Sequence, residues 1–208
     1  MSALRRFAKL HTFAYLVKTR GGIPYRSIGN NILFRREMFM NQDGYRGNLK
    51  YIGGEYDFIV NKFATAKNTT TTLDRDTWLL AEIPTDKSWR NAMLFYQETR
   101  KHLKHSKRHR LPYMIDMGAL YLTFASALGL LVASILLKNW IVLGASILAL
   151  IIAITLRTYF AKRFAKAMDE RIPAWSVVPL ELLMPVYNLR YRLKYLHSDK
   201  YDFISHKI

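Results

Sequence analysis

The chain contains no cysteine, and its 32 lysines and arginines face only 15 acidic residues across 208 positions. Without a thiol there is neither a disulfide nor a thiolate metal site, which suits a cytoplasmic face. No glycine-rich phosphate loop or nucleophile elbow is present, and no spacing of Ser, His and Asp nominates a triad. His102, His105 and His109 lie in a run of lysine and arginine whose charge opposes a metal cation. They read as solvated interfacial residues, and no metal site is expected. A nucleic-acid role would need basic residues interleaved with stacking aromatics on a recognisable module, and none is found. Nor is the N-terminus a secretory signal, because Arg5, Arg6, Lys9, Lys18 and Arg20 interrupt its apolar stretches.

What the chain does have is two charge-free runs, Met117 to Leu137 and Asn139 to Leu156, parted by Lys138. At about 1.5 Å per residue the first reaches about 31 Å and the second about 27 Å, close to the ~30 Å hydrocarbon layer. Soluble helices are rarely apolar on every face for so long, so the pair predicts a membrane hairpin over 111–156. The formal net charge of +17 is concentrated around it. Six Lys or Arg fall between Arg100 and Arg110, and Arg157, Lys162, Arg163, Lys166 and Arg171 follow the second run. This distribution puts both ends of the hairpin, the soluble part and both termini in the cytoplasm, with the Lys138 turn outside.

In chain order, residues 3–19 read as an amphipathic helix ended by Gly21-Gly22. Asn30 to Phe34 reads as a short strand, Arg35 to Met40 as a helical turn, and Asn41 to Gly47 as a loop. A glycine turn at Gly53-Gly54 leads into a helix to about Lys67, with Glu55 and Asp57 in its dipole-favoured first turn. Asn68 to Leu73 and Thr77 to Ala81 read as strands. Asp86 caps a helix over about 87–104. Beyond the hairpin, 157–208 reads as a basic amphipathic helix ended by Pro173 and a re-entrant or interfacial piece, Ala174 to Leu189, broken by Pro179 and Pro185. A tail with Tyr191, Tyr195, Tyr201 and Phe203 returns to a cytoplasmic interface. Asp74-Arg75-Asp76 is a D-x-D triplet of the kind that binds a nucleotide-sugar's divalent cation, but three residues in a turn carry little weight.

The informative combination is the acidic pair after Gly53-Gly54 followed by Gln97 and Arg100 on a helix leading to the membrane. Here residues 8–110 resemble the second half of the catalytic domain of bacterial membrane-bound family 2 glycosyltransferases. Pro24-Tyr25, Gly29, Asn30 to Phe34 and Arg35-Arg36 resemble the family's opening segment. Gly54, Glu55, Asp57, Val60, Asn61, Ala64 and Asn68 resemble its acidic motif, and Gln97, Arg100 and His102 its Gln-x-x-Arg motif. Tyr56 interrupts what would be consecutive acids, leaving both carboxylates open as the base. Lys101 stands where many members carry Trp, which argues against polymer synthesis.

The resemblance implies an α/β, partial GT-A-like (nucleotide-diphospho-sugar transferase) domain over 1–110, then the transmembrane helical hairpin and an interfacial helical tail. It implies transfer of a sugar from a nucleotide-sugar donor to a lipid-linked or cell-surface glycan acceptor at the bacterial cytoplasmic membrane. Glu55 or Asp57 would take the acceptor hydroxyl's proton, and Gln97 with Arg100 would contact the donor diphosphate or the acceptor. The family's donor site, with its D-x-D and Mg or Mn ion, precedes the matching segment. The expectation is therefore an acceptor-side portion that binds no cofactor itself, is inactive alone, and draws its donor-binding half from a partner protein. The alternative is a non-enzymatic membrane protein whose basic surface binds anionic lipid or a partner subunit.

Overall fold

The computed structural model describes residues 2–18, 25–27, 32–41, 43–47, 51, 55–70, 72, 74–77, 79, 82–199 and 203. Among them the chain forms helices α1 (Ala3–Lys18), α2 (Arg36–Asn41), α3 (Glu55–Phe63), α4 (Asp86–His102), α5 (Ser106–Leu136), α6 (Trp140–Ala167) and α7 (Val177–Leu196). Short 3-10 turns cover Arg75–Thr77 and Ala174–Ser176. The chain divides into two compact units, one of 12–110 and 188–208, the other of 2–11 and 111–187.

The expected α/β, GT-A-like sheet is not there: the described residues contain no strand, only Tyr51 in an isolated bridge. A strand needs a paired neighbour, and in the threonine-rich segment the side chains claim the backbone instead. Thr65 N donates to Asn68 Oδ1 at 2.7 Å, Asp74 N to Thr72 Oγ1 at 3.2 Å, and Thr77 Oγ1 to Asp74 O at 2.6 Å. Of the strands expected at Asn68 to Leu73 and Thr77 to Ala81, the described residues 68–70, 72, 77 and 79 are in no strand, and 71, 73, 78, 80 and 81 lie outside the described residues. The described part of Asn30 to Phe34, Ile32 to Phe34, is irregular, and the Gly21-Gly22 and Gly53-Gly54 turns lie outside the described residues. Thr85, not Asp86, caps α4, its side chain accepting from Ser88 N.

The first unit is held by aromatic contacts. Tyr25, Phe58 and Leu103 form a buried cluster with Tyr51 packed against it. Tyr51 stacks on Phe58 at 5.2 Å and meets His102 at 4.6 Å, and Tyr25 stacks on His109 at 4.7 Å. Asn61 ties these pieces together. Its Nδ2 donates to Tyr25 O and Lys104 O, both at 3.0 Å, and its Oδ1 accepts from Lys104 N at 2.7 Å. One amide thus joins α3 to the 25–27 segment and to the turn between α4 and α5. Gly44 packs against Phe39 at φ +48°, where an added Cβ would lie 2.8 Å from the ring, so this loop position accepts only glycine without strain.

In the second unit α5 and α6 are both long and apolar enough to cross a membrane. A three-residue connection, Leu137 to Asn139, joins them, with Lys138 in the left-handed region and the Asn139 side chain accepting from Val142 N at 3.2 Å to cap α6. Their large apolar side chains face outward, as at Leu122, Val132, Leu136, Ile141, Leu148 and Ile151, while small Ala127, Ser134 and Ser146 are buried. Hydrocarbon, not water, is the solvent that fits such a surface. Exposed Trp140 and Tyr159 stand about 28 Å apart along α6, the spacing of the two aromatic belts of a bilayer. The helix expected to begin anew at Arg157 is instead the continuation of α6 to Ala167, since no Gly or Pro falls between Ala145 and Ala167. Residues 177–196 form one helix, α7, through Pro185.

The Asn61 bridge has a measurable worth. Asn61→Ala removes one part-buried and two exposed hydrogen bonds, each worth up to about 1 kcal/mol. Chemical unfolding of the detergent-solubilised chain is expected to show a loss of about 1–2 kcal/mol, whereas a surface change such as Lys67→Ala leaves stability within ~0.5 kcal/mol.

Candidate functional site

Of the two acids singled out by sequence, Glu55 is exposed at the start of α3 and Asp57 is buried. Asp57 faces the 25–27 segment because two residues along a helix turn the side chain by more than half a revolution. Its Oδ1 accepts from Ser27 N at 2.9 Å and from Ser27 Oγ at 3.0 Å, and its Oδ2 lies 3.6 Å from Arg26 Nε. The Arg26 guanidinium in turn sits 3.9 Å above the Tyr96 ring of α4, and Arg100, one turn on, lies 5.8 Å from the same ring. The two helices that carry the acidic and the Gln-x-x-Arg segments therefore meet through Arg26 and Tyr96.

The electrostatics of this group follow from its enclosure. Burial acts to weaken the Arg26 charge, but Asp57, Tyr96 and Tyr25 outweigh it and raise the pKa. Tyr25 is driven up by burial and by Tyr96. For Tyr96 burial acts upward, yet Arg26 and a hydrogen bond from Tyr25 bring the balance below the ordinary phenol. Arg100 is lowered by burial and by the positive charges of Arg110 and Arg192. Among the described residues Arg100, Arg110 and Arg192 form no ion pair, and Arg110 and Arg192 lie close enough to Arg100 to act on its charge. Such a group offers directed donors to a phosphate or diphosphate.

Gln97 lies on a neighbouring face of α4 and points inward: it is 5% exposed and its Oε1 has no hydrogen-bond partner. It does not join Asp57. Glu98 instead links α4 to the end of α7, accepting from Tyr195, which also bonds to Lys101, and meeting His102 Nε2 at 2.8 Å. The Asp74-Arg75-Asp76 triplet lies on an exposed 3-10 turn. An open hollow of about 480 Å³, lined by Thr85, Lys87, Ser88, Asn91, Ala92 and Phe95, involves none of the four candidate residues.

The structure thus joins Asp57 and Arg100, leaves Glu55 at the surface, and turns Gln97 away. It adds Arg26, Ser27 and Tyr96, which carried no motif. A second group lies outside the sequence-predicted site: Arg157, which the sequence marks only as a basic flank of the second run, meets Asp116, just before Met117, and Glu181. In a sequence so poor in acids, an aspartate at the lip of a membrane helix was the available signal. Compared with family models, curated proteins and solved structures, the chain has no match.

Two substitutions separate structural from binding roles. Asp57→Ala leaves Arg26 buried without its carboxylate and is expected to cost about 3–5 kcal/mol in an unfolding titration. Gln97→Leu removes an unsatisfied buried oxygen, so stability is expected to stay level or rise by up to ~1 kcal/mol.

Proposed function

We propose that the chain is the membrane-anchored, acceptor-side portion of a family 2 glycosyltransferase-like enzyme, active with a donor-binding half supplied by a partner. The single observation that carries this reading is the meeting of the acidic helix and the Gln-x-x-Arg helix at Arg26 and Tyr96. Sugar transfer needs a base for the attacking hydroxyl and cationic donors for the departing diphosphate, and these two helices carry both. Asp57 is engaged by Ser27 and Arg26, so its part is to hold Arg26 in place. Glu55, exposed two residues earlier, is the carboxylate that an acceptor hydroxyl can reach. Arg100, backed by Arg110 and Arg192, faces phosphate. The nucleotide and its Mg or Mn ion belong to the partner's half, and the acceptor is a lipid-linked or cell-surface glycan.

The same full engagement of Asp57 favours a second reading, a non-enzymatic membrane protein in which the basic groups bind anionic lipid or a partner subunit. Transfer assays separate the two. With the donor-binding half supplied, Glu55→Gln is expected to lower sugar transfer at least 100-fold, within the range of a lost general base, while leaving stability unchanged. Transfer that survives loss of both the Glu55 and Asp57 carboxylates rejects the catalytic reading. Tight, metal-dependent nucleotide-sugar binding by the purified chain alone rejects the division into halves.

We place both termini in the cytoplasm on the flanking basic residues. The absence of cysteine makes the check clean. A single Lys138→Cys is expected to react with a membrane-impermeant maleimide on intact cells, and Lys162→Cys only after lysis.

A further inference from the structure

α7 has two apolar sides. Toward the protein it buries Val177, Leu180, Met184, Tyr187, Tyr191 and Tyr195, which recur every three or four residues. Roughly half a turn away, Leu183, Val186, Leu189, Leu193 and Leu196 recur at the same spacing, and each is between 48% and 65% exposed. Trp175, in the 3-10 turn just before the helix, is exposed as well. Single apolar side chains on a surface need no explanation, but an aligned row of them along one helix is a face that water does not suit. Basic residues line this row. At about 3.6 residues per turn, exposed Arg190 and Lys194 fall along one edge and exposed Arg192 along the other. The helix has a single acid, Glu181, and it is buried on the inner side.

What covers the row follows from where the helix is fixed. Glu181 Oε2 accepts from Arg157 Nη1 at 3.1 Å, and Leu182 O accepts from the Tyr121 hydroxyl. Arg157 directly follows the second charge-free run, and Tyr121 stands about one turn inside the first. Both partners lie where the hairpin passes between hydrocarbon and headgroups, so this part of α7 sits at the bilayer edge. An apolar row bounded by lysine and arginine, held at that depth, is the pattern of a helix lying in the plane of the membrane.

We propose that α7 lies along the surface of the bilayer that the hairpin crosses. Leu183, Val186, Leu189, Leu193 and Leu196 dip into the outer acyl region, and Arg190, Arg192 and Lys194 meet the phosphates of anionic lipids. This rests on the hairpin as a membrane span and holds whether or not the chain takes part in sugar transfer. It also concerns α4. On the inner side of α7, Tyr195 donates to Glu98 of α4 and bonds to Lys101. Seating α7 on the bilayer therefore holds this end of α4, with Arg100, close to the headgroups.

The test places single cysteines in the cysteine-free full chain, labels each with an environment-sensitive fluorophore, and reads quenching in nanodiscs of mixed zwitterionic and anionic lipid. Iodide reports water, and lipids with a nitroxide near the headgroup or at the acyl end report depth. Labels at Val186→Cys and Leu193→Cys are expected to lose iodide quenching and to be quenched most by the shallow nitroxide. Leu148→Cys, midway along α6, is expected to answer to the deep nitroxide, and Lys67→Cys to iodide alone. Either α7 label decides the matter if the other variant does not fold. Iodide quenching at the α7 labels, strongest quenching there by the deep nitroxide, or protection from iodide and nitroxide alike overturns the proposal, the last because protein then covers the row. Shallow quenching at Leu193→Cys is expected to weaken in discs of zwitterionic lipid alone, and unchanged quenching overturns the part given to the basic residues. If Leu148→Cys is itself open to iodide, the hairpin reading fails and this proposal with it.

Discussion

A guanidinium withdrawn from water has to meet a carboxylate, and in a chain with twice as many basic as acidic residues the few buried acids decide where elements meet. Each compact unit has one such point. In the first, Asp57 fixes Arg26, and Arg26 lies on Tyr96, so α3, the 25–27 segment and α4 share one arrangement. In the second, Arg157 draws Asp116 and Glu181 together from α5 and α7. Losing either centre strands a buried charge, which costs far more than losing a surface ion pair.

The two centres differ in their make-up. Asp57 meets Arg26, and the two hydrogen bonds from Ser27 add to the carboxylate's coordination, so that point is a structural fixture. Arg157 instead meets two carboxylates, Asp116 of α5 and Glu181 of α7, at the end of the charge-free runs. In the first unit Arg110 and Arg192 lie near enough to Arg100 for their like charge to lower its pKa.

The helices were legible because each carries its own signals. The spans expected at 3–19 and 87–104 lie close to α1 and α4, and Arg35 to Met40 lies within one residue of α2. The hairpin followed from its length and lack of charge. The strands were not legible. A threonine-rich segment has the composition of a strand, but a strand exists only through its neighbour, and Thr65, Asn68, Thr72 and Thr77 close local turns instead. The candidate residues divide the same way. Glu55, Asp57, Gln97 and Arg100 were singled out from motif spacing, while Arg26, 31 positions from its partner Asp57, had no local signal.

By itself the sequence determined α1, α2, α4, the two apolar spans and the imbalance of charge, because these depend on residues near one another along the chain; it did not determine α7, which runs through Pro185 where a break was expected. The tertiary structure alone decided which acids are buried, that Asp57 belongs to Arg26 while Glu55 stays at the surface, and that Asp116, Arg157 and Glu181 share one place. Those outcomes are set by contacts across tens of residues, where desolvation and pairing act on groups that no local pattern connects.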